Sequence, residues 1–217
     1  MKLYHYVHCP FCVRVRMALG LLGIDYESHV LPYDDEKTPV ELAKKKMLPI
    51  FQWSQGDASN ESLEIIKRLD EKNILKNEIV ETPLFKEEVE ELLAKIGSQV
   101  HSLCMPYWIW TPEFNEKSRE YFQTKKEVKR GPFHKLIQNR HEFLDKLELI
   151  LTDLEQELTP FYKSETMTIA DIAIASHLWG MYIFPEFQFS PKVHQYLQEI
   201  RKQCHFDYHE DFWKEKI

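Results

Sequence analysis

The chain has 217 residues, 43% of them hydrophobic and only 6 glycine, which is enough apolar side chain for one large core or two modest ones and carries no signature of disorder. Its 35 Asp and Glu outweigh 28 Lys and Arg for a formal charge of −7, so there is no general basic field to hold a phosphate backbone, and nucleic acid is excluded as an expected partner. Met1 to Tyr6 has no apolar run of signal-peptide length, and the longest apolar region, Ile169 to Phe184, is interrupted by Asp171, Ser176 and His177, so a cytoplasmic protein with no membrane partner is expected.

In chain order, Lys2 to Tyr6 reads as a short strand. Phe11 to Leu22 carries helical apolar spacing through Val13, Met17 and Leu21, and Asp25 to Leu31 reads as a second strand that stops before Pro32. Thr38-Pro39-Val40-Glu41 predicts a helix start, with Thr38 as N-cap, Pro39 in the first turn and Glu41 closing a capping box. Pro49 to Trp53 reads as a strand, Gln55-Gly56-Asp57 as a turn and Asp57 to Ser59 as a brief strand, after which Asn60 is the expected cap of a helix carrying Leu63, Ile66 and Leu69. The order β-α-β-α-β-β-α is similar to the thioredoxin fold, an α/β domain expected over residues 1–72.

Residues 73–83 are largely polar and read as a linker, and 84–217 as an all-α C-terminal domain. Phe85, Val89, Leu92, Leu93, Ile96, Val100 and Leu103 form one apolar helical stripe, and Phe143, Leu144, Leu147, Ile150, Leu151, Leu154 and Leu158 another. Between them, Met105 to Pro132 is rich in aromatics and Pro and is expected to hold irregular or short helical segments. Thr168-Ile169-Ala170-Asp171 is a second capping box, leading a helix over Ile169 to Tyr182 that is apolar nearly all round and therefore central. Ser190-Pro191 starts a last helix through Val193, Leu197 and Ile200.

Of the 4 cysteines, Cys9 and Cys12 sit three positions apart while Cys104 and Cys204 stand alone, too sparse a pattern for a secreted disulfide framework. The chemistry centres on Cys9-Pro10-Phe11-Cys12, between the first strand and the first helix. A thiolate at Cys9 faces unpaired first-turn N–H groups and the positive end of the helix dipole, a setting that lowers a thiol pKa from about 8.5 into the range of roughly 3.5–7.5. Cys12, one turn deeper, is placed to attack a mixed disulfide formed at Cys9. Arg14 and Arg16 follow, and spacing alone does not say which faces the thiolate.

Other readings stay open at this point. The Cys pair could be half a zinc site completed by His5 or His8, or an inert buried pair, but no second pair follows at zinc spacing. Cys204, His205 and His209 also have ligand-like spacing near the C-terminus, Cys104 reads as a small core residue, and Tyr107-Trp108-Ile109-Trp110 reads as interior or as a contact surface.

The sequence resembles the glutaredoxin 2 family, two-domain glutaredoxins of glutathione-transferase-like architecture. The likeness is carried by Lys2-Leu3-Tyr4, Cys9-Pro10-Phe11-Cys12, His29-Val30-Leu31, Asp34-Asp35, Met47-Leu48-Pro49-Ile50 and Asn60-Glu61-Ser62. It implies a glutathione-dependent thiol–disulfide oxidoreductase with Cys9 as nucleophile and Cys12 as resolving thiol, with glutathione as co-substrate and no bound cofactor or metal. It also implies glutathione contacts from Pro10, Phe11, Lys46, Leu48, Pro49, Glu61 and Ser62, a cis peptide before Pro49, glutathionylated or disulfide-bonded proteins as partners, and a monomer. Phe11 stands where many glutaredoxins have Tyr, and Asn60 where Pro is common. The alternatives are a glutathione transferase or dehydroascorbate reductase, with Tyr6 as hydroxyl donor to bound glutathione, and a non-catalytic adaptor on the same fold.

Overall fold

The computed structural model describes residues 1–208. Four strands, β1 (Lys2–His5), β2 (Glu27–Val30), β3 (Ile50–Ser54) and β4 (Asp57–Ser59), form one sheet in the order β2-β1-β3-β4. Strands β1 and β2 run parallel and are joined through α1 (Pro10–Leu21), as a parallel pair requires a crossover. The pairs β1/β3 and β3/β4 are antiparallel, with Leu3 opposite Ser28 on one side and Phe51 on the other. Helices α2 (Lys37–Ala43) and α3 (Ser62–Leu69) complete this layer.

The remaining chain is helical: α4 (Glu90–Trp108), α5 (Glu116–Arg130), α6 (Phe133–Gln138), α7 (Arg140–Gln156), α8 (Ile169–Leu178) and α9 (Pro191–Gln203). The expected α/β thioredoxin-like layer followed by an all-α domain is therefore present. Helix α1 packs on α3 from its own domain and on α8 from the other, which explains why Val13, Val15, Met17, Ala18 and Leu19 are all buried. The main apolar core runs from Leu3 through α1 to Ile172 and Ile174 of α8, and a smaller cluster gathers Cys12, Leu31, Leu48 and Ile50. Where α1 ends, a Cβ on Gly20 would meet the Cys204 carbonyl oxygen at 1.8 Å, so only glycine permits this approach of α1 to the end of α9.

Several local expectations need correction. Helix α2 starts one residue before Thr38 with Glu36 at the N-cap position, and the first-turn N–H of Thr38 is accepted by Asp35 Oδ1 at 3.0 Å, so Asp35 takes the place expected of Thr38. Asn60 does not cap α3. The N-cap position belongs to Glu61, no side chain closes the turn, and the first N–H groups of that helix are left for another acceptor. Met105 to Pro132 is far more regular than its composition implied. Helix α4 continues through Pro106 to Trp108, and α5 is a single helix capped by Asn115, which accepts from the Ser118 N–H at 2.8 Å. Its period was hidden because only Ser118 and Phe122 of α5 are buried. The helix expected to reach Tyr182 is α only to Leu178, then tightens into a 3₁₀ turn over Trp179–Ile183.

The capping box at α8 is formed as expected. Thr168 Oγ1 accepts from the Ala170 N–H at 3.2 Å, and Asp171 Oδ2 accepts from the Thr168 N–H at 2.7 Å. Asp171 is wholly buried and also accepts from the Tyr162 N–H at 2.8 Å and the Tyr196 hydroxyl at 3.1 Å, tying α9 to the start of α8. Replacing Asp171 with Ala removes the cap and leaves buried donors unpaired, so it is expected to cost about 2 to 4 kcal/mol. Urea unfolding should show the midpoint falling at constant slope, and a loss within the noise of a surface substitution would mean the network is not structural.

Candidate active site

Strand β1 delivers the chain to Cys9, which occupies the N-cap position of α1 with Pro10 at the first helical residue. Its carbonyl accepts the first helical bond, from the Val13 N–H at 2.9 Å, but its side chain closes no cap, so the sulfur stays available. Cys9 is partly exposed, whereas Cys12 is fully buried and its Sγ accepts from the Tyr6 N–H at 3.4 Å.

The two thiols are driven apart in acidity. Cys12 facing it as donor is the largest influence lowering the Cys9 pKa, burial opposes this, and the N–H groups of Cys12 and Phe11 and the ammonium of Lys126 lower it further. For Cys12, burial is the first cause of a pKa pushed well up, with the neighbouring Cys9 adding to it. The first-turn N–H groups expected to favour the thiolate thus act together with the thiol one turn below.

Cys9 packs against the apolar cluster that holds Leu48, and Leu48 together with Phe11, Pro49, Glu61 and Ser62, five of the residues expected to meet glutathione, lines a cavity of about 410 Å³. The Leu48–Pro49 peptide is cis. Pro10 is buried in the first turn of α1 and does not line this cavity. Lys46 is turned elsewhere: its ammonium donates to the Tyr33 carbonyl at 2.9 Å, pairs with Glu36 at 3.4 Å and meets the Tyr121 hydroxyl of α5.

Arg14 is one of the two arginines whose roles the sequence left unassigned. It is 3% exposed, its Nη1 donates to Ser62 Oγ at 3.3 Å, its Nε has no partner, and its guanidinium lies 5.2 Å from the Phe11 ring centre. Burial lowers its pKa to about 10, so it remains a cation at neutral pH. The spacing of Phe11 and Arg14 by three, which puts both on one helix face, was the available signal. Arg16 points the other way and donates to the Asp207 carbonyl at 2.8 Å.

The histidines considered as zinc ligands are engaged otherwise. His5 Nε2 is 2.8 Å from Ser28 Oγ, and His8 sits between the domains, with Nδ1 2.6 Å from the Tyr208 hydroxyl and Nε2 2.6 Å from Glu113. Cys204 is buried and His205 exposed, while His209 lies outside the described residues. Cys104 packs against Met181. In the aromatic run, Trp108 and Ile109 are interior and Trp110 is 69% exposed.

Residues 88–211 match the family model described as glutaredoxin 2, C terminal domain, and residues 3–76 match that of the glutathione S-transferase N-terminal domain. The chain belongs to the glutaredoxin 2 family. It is 28% identical to glutaredoxin 2 of Escherichia coli K12 over 207 residues, covering 94% of this chain and 95% of that protein. Among solved structures, Salmonella typhimurium glutaredoxin 2 in complex with glutathione matches with a TM-score of 0.84 at 29% identity, covering 97% of each chain. Glutathione transferase GSTFuA3 of Phanerochaete chrysosporium shares the fold, with a TM-score of 0.77 at 17% identity over 95% of this chain and 97% of that one. Among the described residues of this glutaredoxin 2 family member, no helix is long and apolar enough to cross a membrane.

Burial pushes Cys104 up and Cys204 to about 12, and Cys12 is pushed well up, so Cys9 is the one of the four cysteines whose pKa is lowered. Iodoacetamide at pH 7 should therefore label reduced, native protein at Cys9 alone, with Cys12, Cys104 and Cys204 reacting only after unfolding. The labelling rate should rise with pH and level off above a pKa lower than that of an ordinary thiol. Peptide mass mapping of the alkylated protein checks this, and equal labelling of Cys12 would contradict the assigned order of acidity.

Proposed function

We propose that the protein is a glutathione-dependent thiol–disulfide oxidoreductase that reduces protein–glutathione mixed disulfides and small disulfides. Membership of the family supports a glutathione-related oxidoreductase. The observation that carries the finer statement is a partly exposed, acidified Cys9 over a buried, weakly acidic Cys12, packed against Leu48, which with Pro49, Glu61 and Ser62 lines a cavity.

In this mechanism the Cys9 thiolate attacks the glutathione sulfur of a mixed disulfide. A Cys9–glutathione disulfide forms, and the other thiolate leaves with the electron pair. A second glutathione then attacks the glutathione sulfur of the adduct, releasing oxidised glutathione and restoring the Cys9 thiolate. Cys12 offers the dithiol route by attacking Cys9 instead, once its own proton is lost. Potentials of roughly −200 to −230 mV, usual for glutaredoxins, let a reducing cytoplasm drive the cycle.

Glutathione is assigned to the 410 Å³ cavity. The uncapped start of α3, with Glu61 and Ser62, receives the γ-glutamyl carboxylate, a location that free N–H groups favour, and Arg14 supplies a buried cation beside it. Leu48 and Pro49 wall the cysteinyl portion, with Pro10 and Phe11 on the side of the nucleophile. Lys46 is assigned to the glycyl carboxylate, which requires its ammonium to leave Glu36. The protein is taken to act as a monomer in the cytoplasm.

Turnover of a glutathione mixed disulfide by wild type, Cys9→Ser and Cys12→Ser tests the assignment. Loss only in Cys9→Ser is expected. Indifference to both changes would point instead to a transferase, for which the matched N-terminal domain and Tyr6 are the available features, and an inactive wild type would point to an adaptor. Within the cavity, Arg14→Gln should raise KM for glutathione about tenfold, in keeping with the roughly 1.5–3 kcal/mol carried by a hydrogen bond to a charged group. Steady-state kinetics with glutathione as the varied substrate measures it.

A further inference from the structure

A second groove, of about 680 Å³, opens between the domains and adjoins the first, since Phe11, Arg14 and Leu63 line both. Its other polar walls come from the helical domain: Ser98 and His101 of α4, Lys129 and Arg130 of α5, and His177 of α8. Glu90 is the one acid on the lining.

Its cations close no salt bridge among the described residues, and only Arg14 feels the carboxylate charge of Glu90 on the same lining. Arg130 donates to Ser98 O, Ser102 Oγ and His101 Nδ1, each at 3.2 Å and each neutral. Arg14 is bonded only to the Ser62 hydroxyl, and its Nε is buried without a partner. Neither these arginines nor Lys129 closes an ion pair among the described residues, and Lys126, half-buried over the Phe122 ring at 5.3 Å, adds a further positive charge toward Cys9. In a chain of net charge −7, Lys129 and Arg130 on the helical-domain wall, with Lys126 close by, are a local concentration of positive charge that glutathione in the first cavity does not neutralise.

The two histidines contribute polarity without charge. Burial holds both at about 3, so both are neutral at pH 7. His177 donates from Nδ1 to the Ala173 carbonyl at 2.9 Å, whereas the His101 Nδ1 accepts from Arg130, which places the His101 proton on Nε2.

We propose that this groove holds the half of the disulfide that departs when Cys9 attacks, and that it selects a leaving thiol bearing a carboxylate over a neutral or cationic one. The proposal rests on the glutathione mechanism above and adds the chemical class of its second substrate. Glutathione occupies the first cavity, its sulfur beside Cys9, and the disulfide crosses the shared wall of Phe11, Arg14 and Leu63 into the second. In the step, the Cys9–glutathione S–S bond forms as the bond to the departing sulfur breaks, and that sulfur takes the electron pair as a thiolate. Cys9 is oxidised and the departing thiol reduced. The reducing glutathione, itself bearing carboxylates, enters by the same groove in the second half of the cycle.

The test uses three mixed disulfides of glutathione that differ in one small partner: 3-mercaptopropionate (anionic), 2-mercaptoethanol (neutral) and cysteamine (cationic). At low salt, kcat/KM of wild type divided by the rate constant for the uncatalysed reaction of the same disulfide with 2-mercaptoethanol, which removes the leaving thiol's own acidity, should fall in that order, with about tenfold or more between the extremes, and the spread should contract as ionic strength rises. The double change Lys129→Gln with Arg130→Gln should shrink the anion-to-cation ratio, while Lys192→Gln, which removes one positive charge at the start of α9, should preserve it. Equal ratios for all three disulfides, or the largest ratio for the cationic one, overturn the groove assignment and leave the glutaredoxin mechanism standing. Failure to turn over any of them overturns both. The wild-type series and its salt dependence decide the matter even if the double variant does not fold.

Discussion

A sulfur at position 9 can hold negative charge in this protein because a second sulfur faces it from one turn deeper in the same helix. The two effects at Cys9 oppose each other: burial resists ionisation, while the Cys12 thiol, the first-turn N–H groups and Lys126 favour it, and the net effect lowers its pKa. The same helix gives Cys12 the reverse balance, since it is buried completely and faces a negative neighbour. That division of labour depends on α1 holding both sulfurs in fixed register. It is fixed because α1 is buried on two sides, by α3 and the sheet layer on one and by α8 on the other, leaving its first turn as the end that meets the cavities.

The helical domain thereby enters the site in two ways. It supplies the apolar surface that holds α1, and through α5 it brings cations toward a thiolate that belongs to the other domain. His8, directly before Cys9, is fastened by Tyr208 and Glu113 and stacked on Trp108 with ring centres 5.3 Å apart. The chain leading into the nucleophile is therefore anchored to the second domain and not only to its own strand.

How much of this was legible in the sequence follows from where the signals are local. Alternating strands, the Cys9–Cys12 spacing and the box at Thr168–Asp171 are encoded over a few adjacent residues and appear as expected. Caps at Thr38 and Asn60 were misplaced because Asp35 and Glu61, nearby and equally polar, compete for the same positions. Helix α5 was hidden by its polarity, as it turns little more than Phe122 to the interior, and α4 was cut short on paper by Pro106, which the helix carries near its end. The second groove could not be read at all, because it exists only where α1, α4, α5 and α8 meet, and no segment of sequence contains that meeting.

Arg14 and Arg16 show how one helix serves both needs. They lie two positions apart, so their side chains leave α1 in different directions: Arg14 toward the cavities and Ser62, Arg16 toward the backbone carbonyls of Asp207 and Tyr208. A buried guanidinium is costly unless oxygen atoms receive its donors. Arg16 meets that demand with the chain beyond α9, which clasps the far side of α1 and is held close by Gly20. Arg14 meets it incompletely, with one neutral hydroxyl and an Nε left over. A buried cation short of acceptors favours whatever anion enters beside it, and in this fold that unmet demand lies on the wall that the two cavities share, with Phe11 of the first turn of α1.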